Sequence, residues 1–256
     1  FTLVICLFIK TNAQDGTVSP YSYFGLGTFN PANTVENNAM GGLSIYGDSI
    51  HVNLQNPASY GLLKLTTYTV GVSHRRMALT SDTQEKSTAL TAIDYLSVAM
   101  PIAENIGIGF GITPVTSMGY ILNSSAENAN GETITNVFSG DGGLSKIYFS
   151  LGAAPIKNFT VGASAFANFG TVNKERVQSL SSVLFGTIDR RTSRMNGFNF
   201  QMAANYTPNI TDKLTLYTSF VHTTGLDLKA SNTQQVGSLS LVNGSELEVS
   251  DLDLEA

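Results

Sequence analysis

The chain runs to 256 residues, with 14 Lys+Arg against 19 Asp+Glu and a formal net charge of −5, a balance that disfavours nucleic acid as a partner. Charged residues make up 13% and hydrophobic ones 42%, whereas a water-soluble domain ordinarily carries roughly a quarter charged. A single cysteine, Cys6, excludes a disulfide framework and a thiolate metal site.

Residues 1–9 form an apolar run too short to span a membrane as a helix, and a small residue suited to cleavage follows at Ala13. Residues 1–13 therefore read as the tail of a secretory signal peptide, with a buried N-terminal strand or helix as the alternative. Cys6 sits inside the run and away from the processing point, so no lipid anchor is expected on it. Residues 14–34 are rich in Gly, Ser, Asn and aromatics without a period, and read as irregular coil.

Residues 37–61 form a compact, sharply turned segment. Paired Gly41-Gly42 permit positive φ, and Pro57 fixes its own φ while pushing Asn56 out of the helical basin. Met40-Gly41-Gly42, then Gly47-Asp48-Ser49, then Asn56-Pro57-Ala58 with Gly61 three residues on, resembles the N-terminal segment of the FadL-like outer-membrane long-chain fatty-acid transporter family, in its Bacteroidetes-like branch. The resemblance implies a small N-terminal hatch plugging a monomeric β-barrel, with Asn-Pro-Ala where hatch gives way to barrel. It divides the chain into a signal remnant (1–13), a hatch (14–62) and a partial barrel (63–256), with hatch-motif residues Gly41, Gly42, Asp48, Asn56, Pro57 and Ala58. The family more often has Asp-Ala or Asp-Asp-Ala at the position of Asp48-Ser49, which leaves the ligand open.

From Leu62 the period becomes two. Tyr68, Val70 and Val72, then Leu96, Val98 and Met100, then Ile106, Ile108, Phe110 and Ile112 alternate with small or polar residues. The pattern recurs at Ile147, Phe149 and Leu151, at Phe159, Val161 and Ala163, at Phe198, Phe200 and Met202, and at Leu214, Leu216, Thr218 and Phe220. Such alternation sets one face on lipid and the other toward a lumen. Short corners are predicted at residues 101–105, 155–158 and 208–213, and long polar loops at 80–87, 123–142, 173–191 and 231–237. Short turns on one side and long loops on the other mark an outer-membrane barrel. Low charge, abundant Gly, Ser, Thr and Asn, and no helix-length apolar run after the signal agree, with a soluble β-sandwich or β-helix as the alternative. The expected fold is all-β: a transmembrane antiparallel β-barrel with an N-terminal hatch. About eight strands are legible, the last near residues 239–249, and the resemblance implies a fragment of a barrel of about fourteen.

Catalytic chemistry has little support. His51, His74 and His222 are far apart with no metal-type spacing, and no nucleophile elbow, phosphate loop or His-Glu-x-x-His occurs, so neither an enzyme nor a cofactor or metal is expected. Gly107, Gly109 and Gly111, followed by Pro114, weaken ladder bonding and predict a kink or bulge. The glycines either make room for the hatch or, as the resemblance implies, accompany a lateral gap in the wall. On the resemblance the expected function is passive uptake of long-chain fatty acids with release through that gap. The alternative is a non-transporting scaffold or shuttle of a Bacteroidetes-type secretion system. Expected partners are the outer-membrane bilayer and hydrophobic small molecules, with no nucleic acid, for a monomer in the bacterial outer membrane.

Overall fold

A computed structural model describes residues 17–80, 85–242 and 244–254; the signal segment expected over residues 1–13 lies outside them. The leader holds a 3-10 turn (Pro20–Tyr23), the two-residue strand β1 (Thr28–Phe29) and the short helix α1 (Val35–Ala39). Thr34 caps α1 by accepting the Asn37 amide on its side chain. A second 3-10 turn (Pro57–Leu62) closes the leader. Pro57 takes the first position, where its missing N–H has no helical partner to lose, and Asn56 before it is extended.

Strands make up almost everything else: β2 (Thr67–Thr80), β3 (Glu85–Ala103), β4 (Ile106–Glu127), β5 (Thr133–Ile156), β6 (Phe159–Leu180), β7 (Phe185–Tyr206), β8 (Asn209–Thr211), β9 (Leu214–Thr215), β10 (Thr218–Thr223), β11 (Lys229–Ser240) and β12 (Glu246–Leu254). One sheet runs β12-β11-β7-β6-β5-β4-β3-β2, with β1 added to β4 and β10 to β7, while β8 and β9 form a separate hairpin. All pairings are antiparallel, and the sheet curls into half a barrel whose end strands, β2 and β12, do not meet among the described residues. Among the described residues no helix is long and apolar enough to cross a membrane.

The two faces differ as the period of two requires. One row of opposed residues on the outer face reads Val98, Phe110, Phe149, Ala165, Phe200 across β3 to β7. Its neighbour reads Leu96, Ile112, Ile147, Ala167, Phe198. Small residues on β6 face bulky ones on both sides, so the rows interlock. The adjoining inner row is Ser97, Gly111, Tyr148, Phe166, Asn199, small or aromatic and capped with amides and hydroxyls.

Two of the three predicted corners are tight: β3 returns through Glu104-Asn105 and β5 through Lys157-Asn158, where Asn158 adopts φ 65°, whereas the corner expected at 208–213 is the β8–β9 hairpin within a longer connection from β7 to β10. At the other end the structure corrects the expectation of long loops. Residues 123–142 and 173–191 are mostly strand, as are 85–87 and 231–237, while 81–84 lie outside the described residues. Strands β4, β6 and β7 have 22 residues each and β5 has 24. These upper halves are richer in polar residues and are held by lateral pairs. Arg190 bridges Glu175 and Glu246 at 2.9 Å each, and Thr192 Oγ1 donates to Asn173 Oδ1 at 3.0 Å. The final strands also differ: residues 239–249 straddle the turn between β11 and β12, and the pattern at Leu214–Phe220 divides between β9 and β10.

Candidate functional site

The inner face of the sheet is where the leader is seated. The 3-10 turn Pro57–Leu62 packs against β3, β4, β5, β6 and β7. Val52, Leu54, Tyr60 and Leu63 from the leader join Tyr95, Ala99, Tyr148 and Phe166 from the sheet in one buried cluster. A second cluster higher on the same face consists of Met118, Tyr120, Leu144, Val172 and Met195, with Leu226 and Leu228 dipping in between β10 and β11.

Glycines on the sheet make the approach of the turn possible. A Cβ on Gly107 would strike the Tyr60 carbonyl, one on Gly109 the Tyr60 ring, and one on Gly162 the Pro57 carbonyl, all well inside 3.0 Å. On Gly152 it would lie 2.5 Å from the Pro57 carbonyl oxygen, and on Gly61 2.6 Å from the Ala153 backbone. The three central strands thus form a backbone-lined recess shaped to the turn. Tyr60 fills it at 1% exposure, and burial pushes its hydroxyl well above the ordinary tyrosine range, so it stays neutral.

Asn56 fixes the orientation of the segment and is fully buried. Its Nδ2 donates to Asn205 Oδ1 at 2.9 Å, to Ser219 Oγ at 3.0 Å and to Ser44 O at 3.2 Å, while its Oδ1 accepts the Ala58 amide at 3.1 Å. Ser219 and Asn205 are opposed residues of β10 and β7, so one amide ties the leader to two strands. Asn53 acts similarly inside the leader: its Nδ2 donates to Ser44 O at 2.7 Å, and its Oδ1 accepts the amides of Gln55 and Asn56.

The other expected residues fall into two groups. Gly41 and Gly42 adopt φ of 75° and 83° just after α1, and Gly42 N donates to Asn37 O at 2.7 Å. Asp48 accepts the amides of Ile50 and His51 at 2.9 and 2.7 Å and pairs with the His51 imidazole. Burial raises its carboxyl, but these donors outweigh it and hold the group below its ordinary value. Pro57 and Ala58 are buried within the seated turn. On the wall, Gly107 and Gly109 face Tyr60, and Gly111 lies under the Tyr148 ring. Pro114 stands at a bulge where β4 and β5 shift register between Pro114 and Thr116. The bulge exchanges the faces of β4: odd positions such as Gly109 and Thr113 point inward below it, and even ones such as Met118 and Tyr120 above it. Tyr60, Asn205, Ser219, Gly152 and Gly162 were not singled out in the sequence. The two glycines were visible there as inner-face positions of alternating strands.

Among the described residues no three His, Cys, Asp or Glu come together in a way that could hold a metal. His51 pairs with Asp48, His74 Nδ1 lies 2.9 Å from Thr91 Oγ1, and His222 is on β10.

A family model, BamG, matches residues 1–256. The chain belongs to the BamG family. None of the curated proteins and none of the solved structures matches it. This assignment corrects the FadL-like resemblance: BamG is a component of the BAM complex and not a FadL-type transporter. The expected uptake of fatty acids, with lateral release, falls with it, and so does the alternative of a secretion-system shuttle. Gly41-Gly42 turn the chain, Asn56-Pro57-Ala58 start a buried turn, and the wall glycines admit it. These residues seat the leader on the curled sheet. Through the BamG family the chain is associated with the bacterial outer-membrane assembly machinery.

Proposed function

We propose that this protein is a membrane-embedded, non-catalytic component of the machinery that assembles outer-membrane proteins. The observation that carries the reading is the BamG match across residues 1–256. Two features of the fold support it. Exposed Val70, Val72, Leu96, Phe110, Ile112, Ile147, Phe149, Phe198 and Phe200 cluster toward the tight-turn end and form a lipid-compatible outer face. A membrane-crossing strand needs about 9–11 residues, so strands of 22 to 24 residues project about as far beyond the bilayer as they run within it. The upper halves are then a polar platform standing above the membrane, suited to partner contact.

The inner face favours a scaffold over a conduit. Its lower recess is occupied by Asn56 at 0% and Tyr60 at 1% exposure, held by close approach to glycine backbone on one side and side-chain amides on the other. The proposed partners are the outer-membrane bilayer and the other members of the assembly machinery. The test is purification of an affinity-tagged chain from native membranes in mild detergent. Co-purification of the central assembly barrel in fixed stoichiometry is expected. Isolation of the chain free of it, under conditions that preserve that complex, would overturn the proposal.

A further inference from the structure

Strands β3 and β4 part company halfway up. Their ladder ends at Leu96↔Ile112, yet β3 continues to Glu85 on β2 and β4 continues to Glu127 on β5. The parting coincides with Pro114, which has no N–H to offer a neighbour, and with the bulge that leaves Val115 unmatched. Above that point the β4 edge turned toward β3 is free of β3.

The chain's own leader occupies part of this edge. Strand β1 pairs with it through Thr28↔Ser117 and Phe29↔Thr116, and Asn30 N donates to Val115 O at 2.8 Å. Asn30 Nδ2 donates to Ser117 Oγ at 2.7 Å, and Ser22 Oγ exchanges bonds of 3.2 Å with the Gly119 carbonyl and amide. Gly27, at φ 98°, lies so close to the Ser117 carbonyl that a Cβ would overlap it. The leader's hydrogen bonds to this edge therefore run from Val115 to Gly119, and beyond them the Tyr23 ring sits edge-on to Tyr120. Beside it a cavity of about 220 Å³ remains between Leu79 and Thr88 of the β2–β3 hairpin, Tyr120 and Ile121 of β4, and Val18 and Pro20 of the leader. Beyond Gly119 that edge pairs with no strand among the described residues.

We propose that the β4 edge from Thr113 to Glu127 is a strand-acceptor site. The leader segment Gly27–Asn30 holds it closed, and an extended segment of a client outer-membrane polypeptide takes it when the leader withdraws. The occupant follows from what sits there now: a short extended peptide bound through main-chain pairing, which is how an exposed sheet edge recruits a strand. Two paired residues and a handful of polar contacts make a clasp that a longer strand outcompetes, because a client running to Glu127 pairs along the whole edge. The inference rests on the assembly function proposed above, and the experiment separates the two.

Thr28→Cys with Ser117→Cys, in a Cys6→Ser background, places thiols on directly opposed residues. A control pair, Asn173→Cys with Thr192→Cys, links β6 to β7 away from the edge. In cells depleted of the native chain, assembly of other barrel proteins is read as their heat-modifiable fraction in the outer membrane, and each oxidised protein is compared with its own reduced form. Oxidation of the first pair is expected to lower that fraction at least fivefold, with recovery on reduction, and oxidation of the control to leave it unchanged. Full assembly with the clasp locked would overturn the site, and so would failure of the first pair to form a disulfide. Depletion that leaves barrel assembly intact would instead remove the parent function. As a second readout, a photoreactive residue at Ile121 is to be illuminated with a purified, urea-unfolded outer-membrane barrel polypeptide as probe. Gly27→Ala, which dislodges the clasp, is expected to raise cross-linking several-fold, and equal yields with and without it would contradict the proposal.

Discussion

Tyr60 lays its ring against Gly109 so closely that a methyl group on that glycine would fall well inside 3.0 Å of the ring carbons. The tyrosine belongs to the leader and the glycine to the wall, so this contact sets how deeply the leader sits. Gly109→Ala is expected to cost about 1–3 kcal/mol through overpacking, and Tyr60→Ala about 3–5 kcal/mol through the cavity it leaves. Because the alanine methyl needs the space that the ring vacates, the double variant should cost less than the two singles summed. Denaturant midpoints of the four proteins in one detergent measure the coupling, and strict additivity would show that the residues do not touch.

Asn56 and Asn205 meet across 149 positions of sequence. Asn56→Ala removes the donor to Asn205, Ser219 and Ser44 and leaves the buried Asn205 oxygen without that donor. A loss of about 1–3 kcal/mol is expected. Ser219→Ala should cost less, since Asn56 keeps its bond to Asn205. Susceptibility of residues 44–63 to a protease added to the purified protein should follow the same order.

The bulge at Val115 decides which side chains of β4 face inward. Deleting Val115 would remove the extra residue and keep Met118 and Tyr120 on the inner face, whereas inserting one alanine between Thr116 and Ser117 would put Ser117, Gly119 and Ile121 there instead, breaking the cluster with Leu144, Val172 and Met195. A cysteine at position 118, where Met118 is 0% exposed, should resist a water-soluble maleimide in the native register and react readily after the insertion. Protection in both would contradict the assigned faces.

Asp48 links leader folding to pH. Its folded-state carboxyl is held below the ordinary 3.8 by the His51 and Ile50 amides and the His51 ring, against the upward push of burial. A group lowered in this way stabilises the fold above its unfolded value, and the contribution is lost as pH falls through the lower folded value. Resistance of the leader to proteolysis is therefore expected to be constant at neutral pH and to decline below about pH 4. Asp48→Asn should flatten that decline. An unchanged profile in the variant would assign the acid sensitivity elsewhere.

Much of the wall was readable in advance, because a period of two depends only on side chains that lie on the strand itself. Phe110, Phe149 and Phe200 announced an outer face before any pairing was known. The loops expected over residues 123–142 and 173–191 are mostly strand for a physical reason: strand ends rich in polar residues lack the apolar alternation, and residues 173–178, pairing along β7, carry none. The seating of the leader was half legible. Gly41-Gly42 and Asn56-Pro57 signalled turns, and the structure places turns there, but the Asn56 partners Asn205 and Ser219 lie on strands with no local mark of the contact. The FadL-like resemblance does not carry over to function because its motif residues answer to packing of the leader on the wall.

The most direct test of the account is a single depletion experiment with two readouts in the same cells: the heat-modifiable fraction of other outer-membrane barrel proteins, and uptake of a labelled long-chain fatty acid. Loss of folded barrel proteins that precedes any change in uptake is the expected result. Normal barrel assembly with uptake abolished would contradict the assembly role and return the chain to transport.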